Sequence, residues 1–137
     1  MEFTLKTKIE ATAELIYNAW LSSDGHTDMT GGTAIISDKI GDKFTAWDGY
    51  IEGENIELES YKRILQSWRT SQFEKHEEDS HLEILLNEID GKTELILIHT
   101  NVPESGEHYI KGWDNHYFRP MKDYFSKLKT SINKAKY

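Results

Sequence analysis

Hydrophobic positions along this chain follow two different periods. Phe3, Leu5, Thr7 and Ile9 alternate with Thr4, Lys6 and Lys8, the pattern of a strand buried on one face. Over residues 107–132 the large side chains instead recur at steps of three and four: Ile110, Trp113, Tyr117, Met121, Tyr124, Leu128 and Ile132. That spacing sets one bulky group per turn along the same side of a helix. Lys111, Asp114, Lys122, Asp123, Lys127 and Lys129 fall elsewhere on the wheel, as a half-buried helix requires.

Between these two segments the chain divides into a short helical region and a series of strands. Thr12 is placed to cap a helix over residues 13–21 whose buried side is Leu15, Ile16, Ala19 and Trp20. Ser22-Ser23-Asp24-Gly25 breaks it, and residues 26–29 add one further turn before Gly31-Gly32. Strands are expected over 33–37, 43–47, 50–59, 62–70, 81–89 and 93–102, with a polar connection at 71–80. Asp90-Gly91 is a strong hairpin signal. Pro103 to Gly106 stops the last strand ahead of the long helix. Short turns between neighbours make an antiparallel meander. The economical way to bury both apolar faces is an α+β fold in which a curved antiparallel sheet wraps around the C-terminal helix, with short helices after the first strand.

Length and composition narrow the class. The 137 residues read as one domain, 1–137. Without cysteine there are no disulfides or thiolate metal sites, which fits a reducing cytoplasm. No signal peptide or membrane-spanning run is visible, so the expected location is cytoplasmic. The net charge of −8 is uneven: residues 107–137 hold seven Lys/Arg against three acidic residues, a net +4, which leaves −12 on the rest. An acidic sheet argues against nucleic-acid binding, which needs clustered cations. The six histidines show no metal-ligand spacing, and neither a phosphate loop nor a nucleophile elbow occurs. The expectation is a protein with no metal, no cofactor and no catalysis.

A set of strings carries more specific information. Phe44-Thr-Ala-Trp-Asp-Gly49, Ile51-Glu-Gly53 and Arg63-Ile-Leu-Gln-Ser-Trp68-Arg69 are three of them. Gly91-Lys-Thr-Glu-Leu95, Asn101-Val-Pro-Glu-Ser105 and Gly112-Trp-Asp-Asn-His-Tyr-Phe-Arg-Pro-Met-Lys122 complete the set. Over residues 10–125 the chain resembles the C-terminal domain of the activator of the heat-shock protein 90 ATPase and its single-domain relatives. The resemblance implies the START-like (SRPBCC, birch-allergen-like) superfamily and its helix-grip fold. It also implies two kinds of partner: a small apolar or amphipathic molecule between sheet and helix, or a heat-shock protein 90-type chaperone. The chain departs from the family in having Gly41-Asp42 in place of a Gly-Gly pair, and Pro120 within the helix. It also shows no separate N-terminal chaperone-docking domain. Pro120 is expected to kink the helix near His116.

Read in that register, the inward residues of the sheet include Phe44, Ile51, Ile64, Gln66 and Trp68, then Leu82, Ile84, Leu86, Leu95, Leu97 and His99. Trp113, Tyr117, Met121 and Tyr124 face them from the helix. Trp20, Phe44, Trp68, Trp113 and Tyr117 converge in this picture. The expected ligand-binding set is Trp20, Phe44, Ile51, Ile64, Gln66 and Trp68, with Leu82, Ile84, Leu97 and His99 from the later strands. Trp113, Tyr117 and Met121 supply the helix side. Gln66 and His99 are polar groups among apolar neighbours and need partners; they would orient a polar group of the ligand. Access is expected between residues 29–33 and 102–106. A co-chaperone role through the acidic sheet edge is the alternative, with a cyclase-like enzyme third and a monomer or weak dimer as the assembly.

Overall fold

In the computed structural model, backbone is described for residues 1–135 and side-chain burial through residue 132. Alternation in the first segment gives strand β1 (Phe3–Ile9), with Phe3, Leu5, Thr7 and Ile9 inward. Helix α1 (Ala13–Trp20) starts where Thr12 accepts a hydrogen bond from the Leu15 N–H at 3.2 Å. The Glu88 carboxylate accepts from the Ala13 N–H at 2.7 Å and ties that end to the sheet. Ser22-Ser23-Asp24-Gly25 is a helix start rather than only a break. Ser22 caps α2 (Ser23–Thr30) by accepting from the Gly25 N–H, and Gly31 in the left-handed region closes it. The buried side of α1 is Ala13, Ile16, Tyr17 and Trp20, while Leu15 is 43% exposed. Leu15 is outside because α2 and β5 meet α1 on the Ile16/Trp20 side.

Five further strands follow: β2 (Lys43–Ala46), β3 (Ile51–Glu59), β4 (Arg63–Thr70), β5 (Ser80–Ile89) and β6 (Lys92–Thr100). They form one antiparallel sheet with β1, in the order β1-β6-β5-β4-β3-β2. The segment 33–37 expected as a strand is irregular, with only an Ile35–Thr45 bridge, and Ile35 is 68% exposed. Flanking β2 as it does, it has nothing on its outer side to pair with. Asp90 and Gly91 both have positive φ and make the β5–β6 turn. A register shift between Asn55 and Glu57 puts a bulge in β3, leaving Ile56 outside the alternation.

The C-terminal helix is not uniform. Helix α3 (His108–Trp113) leads into a π turn (Asp114–Phe118), then α4 (Arg119–Ala135). The Arg119 N–H bonds to the Asp114 carbonyl, the wide step of a π turn. Pro120 lacks an N–H and its ring crowds the His116 carbonyl; the widened turn accommodates it there. The buried residues along this segment are Tyr109, Trp113, Tyr117, Phe118, Met121 and Phe125. Tyr109 takes the place expected for Ile110, and Ile132 at the far end is 45% exposed. The curved sheet and this helix grip one core. No described helix is long and apolar enough to cross a membrane.

Candidate functional site

A cavity of about 270 Å³ opens between the helix and the β2–β3 end of the sheet. Six aromatic side chains wall it: Trp47, Tyr50, Trp68, Tyr109, Trp113 and Tyr117. Ile51, Gly112 and His116 complete the wall. Exposed Tyr50 and His116 lie at its rim. Trp68 on β4 is the pivot, with ring centres 5.0 Å from Tyr109 and 5.6 Å from Trp113. Trp113 lies 4.8 Å from Tyr117. The helix supplies its share because Tyr109, Gly112, Trp113, His116 and Tyr117 recur at steps of three and one, all on one side.

Trp47 reaches the rim by an unusual route. It has φ +52°, followed by positive φ at Asp48 and Gly49, a conformation that costs a non-glycine residue on the order of 1–3 kcal/mol. Its indole lies on Gly32, where a Cβ would come within 2.4 Å of the ring. On another side the His116 ring packs edge-on, 5.4 Å away. The Trp47 N–H is buried without a hydrogen-bond partner. It is near enough to Tyr117 to ease that phenol's shift, but it closes no bond of proper geometry.

Two buried histidines stand behind the aromatic wall. The Trp113 N–H donates to His99 Nδ1 at 3.1 Å. The proton of His99 is therefore on Nε2, which donates to Ser80 Oγ at 2.8 Å, and Ser80 donates to the Trp68 carbonyl at 2.7 Å. Burial, helped by His81, pushes the His99 pKa down to about 3. On the other side, His26 Nδ1–H donates to the Trp20 carbonyl at 2.9 Å, and its Nε2 accepts from the Tyr117 hydroxyl at 2.7 Å. Burial pushes His26 down to about 4. Burial likewise raises Tyr117, and it raises Tyr109, whose hydroxyl bonds Thr70, to about 12. All four groups are therefore neutral at pH 7.

Of the residues singled out from the sequence, the structure brings Ile51, Trp68, Trp113 and Tyr117 to the cavity. Trp20 backs the wall, its ring 5.1 Å from Tyr117 and its N–H donating to Gln66 at 3.3 Å. Gln66 donates in turn to Asn55 at 2.9 Å. Gln66 and His99 thus find their partners in the protein. Ile64, Leu82, Ile84, Leu97 and Met121 are core residues, none more than 1% exposed and none lining the cavity. Phe44 covers Gly53, where a Cβ would meet its ring at 2.7 Å and the Ser67 carbonyl at 1.9 Å. None of residues 29–33 or 102–106, expected to flank the entrance, lines the cavity; Met29, Val102 and Gly106 are buried, with Gly106 packed against Val102 and Tyr109.

Sequence reasoning missed Trp47, Tyr50, Tyr109, Gly112 and His116 as lining residues. Three of them were within reach, because Tyr109, Gly112 and His116 share the period of Trp113 and Tyr117. Trp47 and Tyr50 flank a turn, and no periodicity places a turn side chain. Among the described residues no three His, Asp or Glu groups gather as metal ligands.

Comparison with known proteins agrees with this architecture. Residues 10–126 match the family model described as Activator of Hsp90 ATPase homolog 1-like protein. The human activator of 90 kDa heat shock protein ATPase homolog 1 is 29% identical over 127 residues, covering 90% of this chain and 37% of the relative. Mouse homolog 2 is 28% identical over 116 residues, covering 82% of this chain and 34% of the relative. The chain thus spans little more than a third of these curated relatives. An HSP90 activator from Plasmodium falciparum superposes with a TM-score of 0.79 at 22% identity, over 87% of this chain and 91% of that one. The Aha1 dimer from Colwellia psychrerythraea gives 0.77 at 16% identity, over 91% and 96%. At such identities these two show the helix-grip fold alone. With most of its length matched by the family model, the chain belongs to the activator of Hsp90 ATPase homolog 1-like family.

Proposed function

We propose that this protein is a non-catalytic binding module that holds a small apolar or amphipathic molecule in the aromatic cavity. The observation that carries this reading is a cleft of about 270 Å³ walled by six aromatic rings. Its size is close to the lower end of small-ligand sites, roughly 300–1,000 Å³. Contact area comes from the rings, at low entropy cost because each has few rotatable bonds. Polar orientation comes from the rim rather than from Gln66 or His99, whose hydrogen bonds are already used inside the protein. The lining holds one imidazole, His116, and no carboxylate beside it, so a cyclase-like reaction that needs a paired acid and base finds little there.

Gly112 supplies the test. A Cβ built on it meets nothing within 4 Å, so Gly112→Leu fills the cavity while improving helix propensity by about 1 kcal/mol. Small aromatic compounds should quench or shift the tryptophan fluorescence of the parent saturably. Gly112→Leu should lose that response at equal or higher Tm. No response from the parent to any of a broad panel would sink the reading.

A second reading is favoured by the family and by the names of its relatives: a co-chaperone-like partner of a heat-shock protein 90-type chaperone. Glu52, Glu54, Glu57 and Glu59 give β3 an exposed acidic row beside the sheet edge, a surface suited to a basic patch on a partner. The chaperone's ATP turnover, measured with and without this protein, decides it. Stimulation that Glu52→Lys with Glu54→Lys removes supports the reading, and an unchanged rate with no complex on a sizing column ends it.

A further inference from the structure

We propose that the cavity is selective for a compact organic cation, one carrying a quaternary ammonium group, over a neutral molecule of the same shape. The inference rests on the binding-module reading above and specifies its ligand. Indole and phenol rings present electron-rich faces, and a cation within about 6 Å of several of them is attracted more strongly once water is excluded. Three tryptophans and three tyrosines wall one cleft of about 270 Å³, with no lysine or arginine in the lining to repel a cation or to hold an anion.

Hydrogen-bond accounting separates the kinds of cation. Tyr117 and Trp113 donate to His26 and His99, and Tyr109 is bonded to Thr70. A primary ammonium has three donors to satisfy and meets a wall whose side-chain acceptors are the His116 imidazole at the rim and phenol oxygens that already hold one hydrogen bond each. A quaternary ammonium has none to satisfy and sheds its water cheaply. The Trp47 indole N–H at the wall is buried without a partner; a small rotation of this half-buried side chain would turn the donor toward a hydroxyl or ester oxygen close to the ammonium. Charge outside the cavity points the same way: the protein carries −8, and the exposed Asp48 directly follows the rim residue Trp47. Such a field raises the local concentration of cations. The volume admits a trimethylammonium head with a short tail and excludes a long acyl chain.

Choline and its neutral carbon isostere 3,3-dimethyl-1-butanol, nearly matched in shape and differing in charge, provide the test. Tryptophan fluorescence titrations of the full chain at fixed ionic strength should give a Kd for choline at least about fivefold lower. Trp47→Phe should narrow that ratio, and Gly112→Leu should abolish binding of both. Equal or tighter binding of the neutral compound overturns the cation preference and leaves the binding module standing. Choline binding that survives Gly112→Leu places the cation on the acidic surface and also overturns the inference. If neither compound nor any aromatic of the broader panel binds, the module reading fails with it.

Discussion

At the scale of single residues, two glycines act through what lies on them. Gly53 sits on β3 opposite Phe44 and Trp68, and a Cβ there would collide with the backbone of β4 as well as with the Phe44 ring. Gly53→Ala should therefore cost more than about 3 kcal/mol, in the range reserved for a forced backbone shift. Urea unfolding measures it, and a loss under about 1 kcal/mol would show that the two strands separate cheaply. Gly32 has a different neighbour, the Trp47 indole, which is half-buried and able to move. Gly32→Ala should keep the fold and swing Trp47 off the rim, seen as a red shift in its emission.

Among the secondary-structure elements, the π turn is the decisive one. Tyr109, Trp113, Tyr117, Met121 and Phe125 are all buried and all four residues apart. At 3.6 residues per turn such a series drifts by about 40° per step, or about 160° overall. One extra residue in a widened turn cuts the drift to about 60°. The aromatic stripe therefore requires the π turn independently of Pro120. Pro120→Ala restores a backbone donor, yet the stripe should hold the turn, and stability should change by less than about 1 kcal/mol. A gain near the full proline penalty of about 3 kcal/mol would instead mean that proline alone imposes the irregularity.

The whole molecule couples the cavity to pH through its two buried imidazoles. His99 and His26 each accept a hydrogen bond from a cavity aromatic, Trp113 and Tyr117, and a protonated imidazole has no acceptor left. Their folded pKa values, about 3 and about 4, lie below the ordinary 6.5. The unfolded chain therefore binds these protons first, so their contribution is present above pH 6.5 and is lost as pH falls below it, down to about 4 for His26 and about 3 for His99. Denaturant melts should show a loss of at least about 3 kcal/mol between pH 7 and pH 4.5. His26→Gln combined with His99→Gln should flatten that profile, and a parent protein equally stable at both pH values would contradict the argument.

Much of this protein follows from one-dimensional pattern. Alternation in β1, the Thr12 cap, the Asp90-Gly91 hairpin and the helical stripe are local consequences of side-chain period and backbone preference, which need no knowledge of distant neighbours. The family strings place the same elements in a helix grip, and Trp68, Trp113, Tyr117 and Ile51 reach the cavity as their register implies. Position among non-neighbours is a different matter. Whether Gln66 and His99 face a ligand or find their partners inside the protein depends on groups 11 to 46 residues away. Whether Trp47 roofs the cleft depends on a glycine loop fifteen residues earlier. Periodicity specifies which face a residue is on; only closure of the sheet around a widened helix decides which inward groups touch one another and which are left around open space.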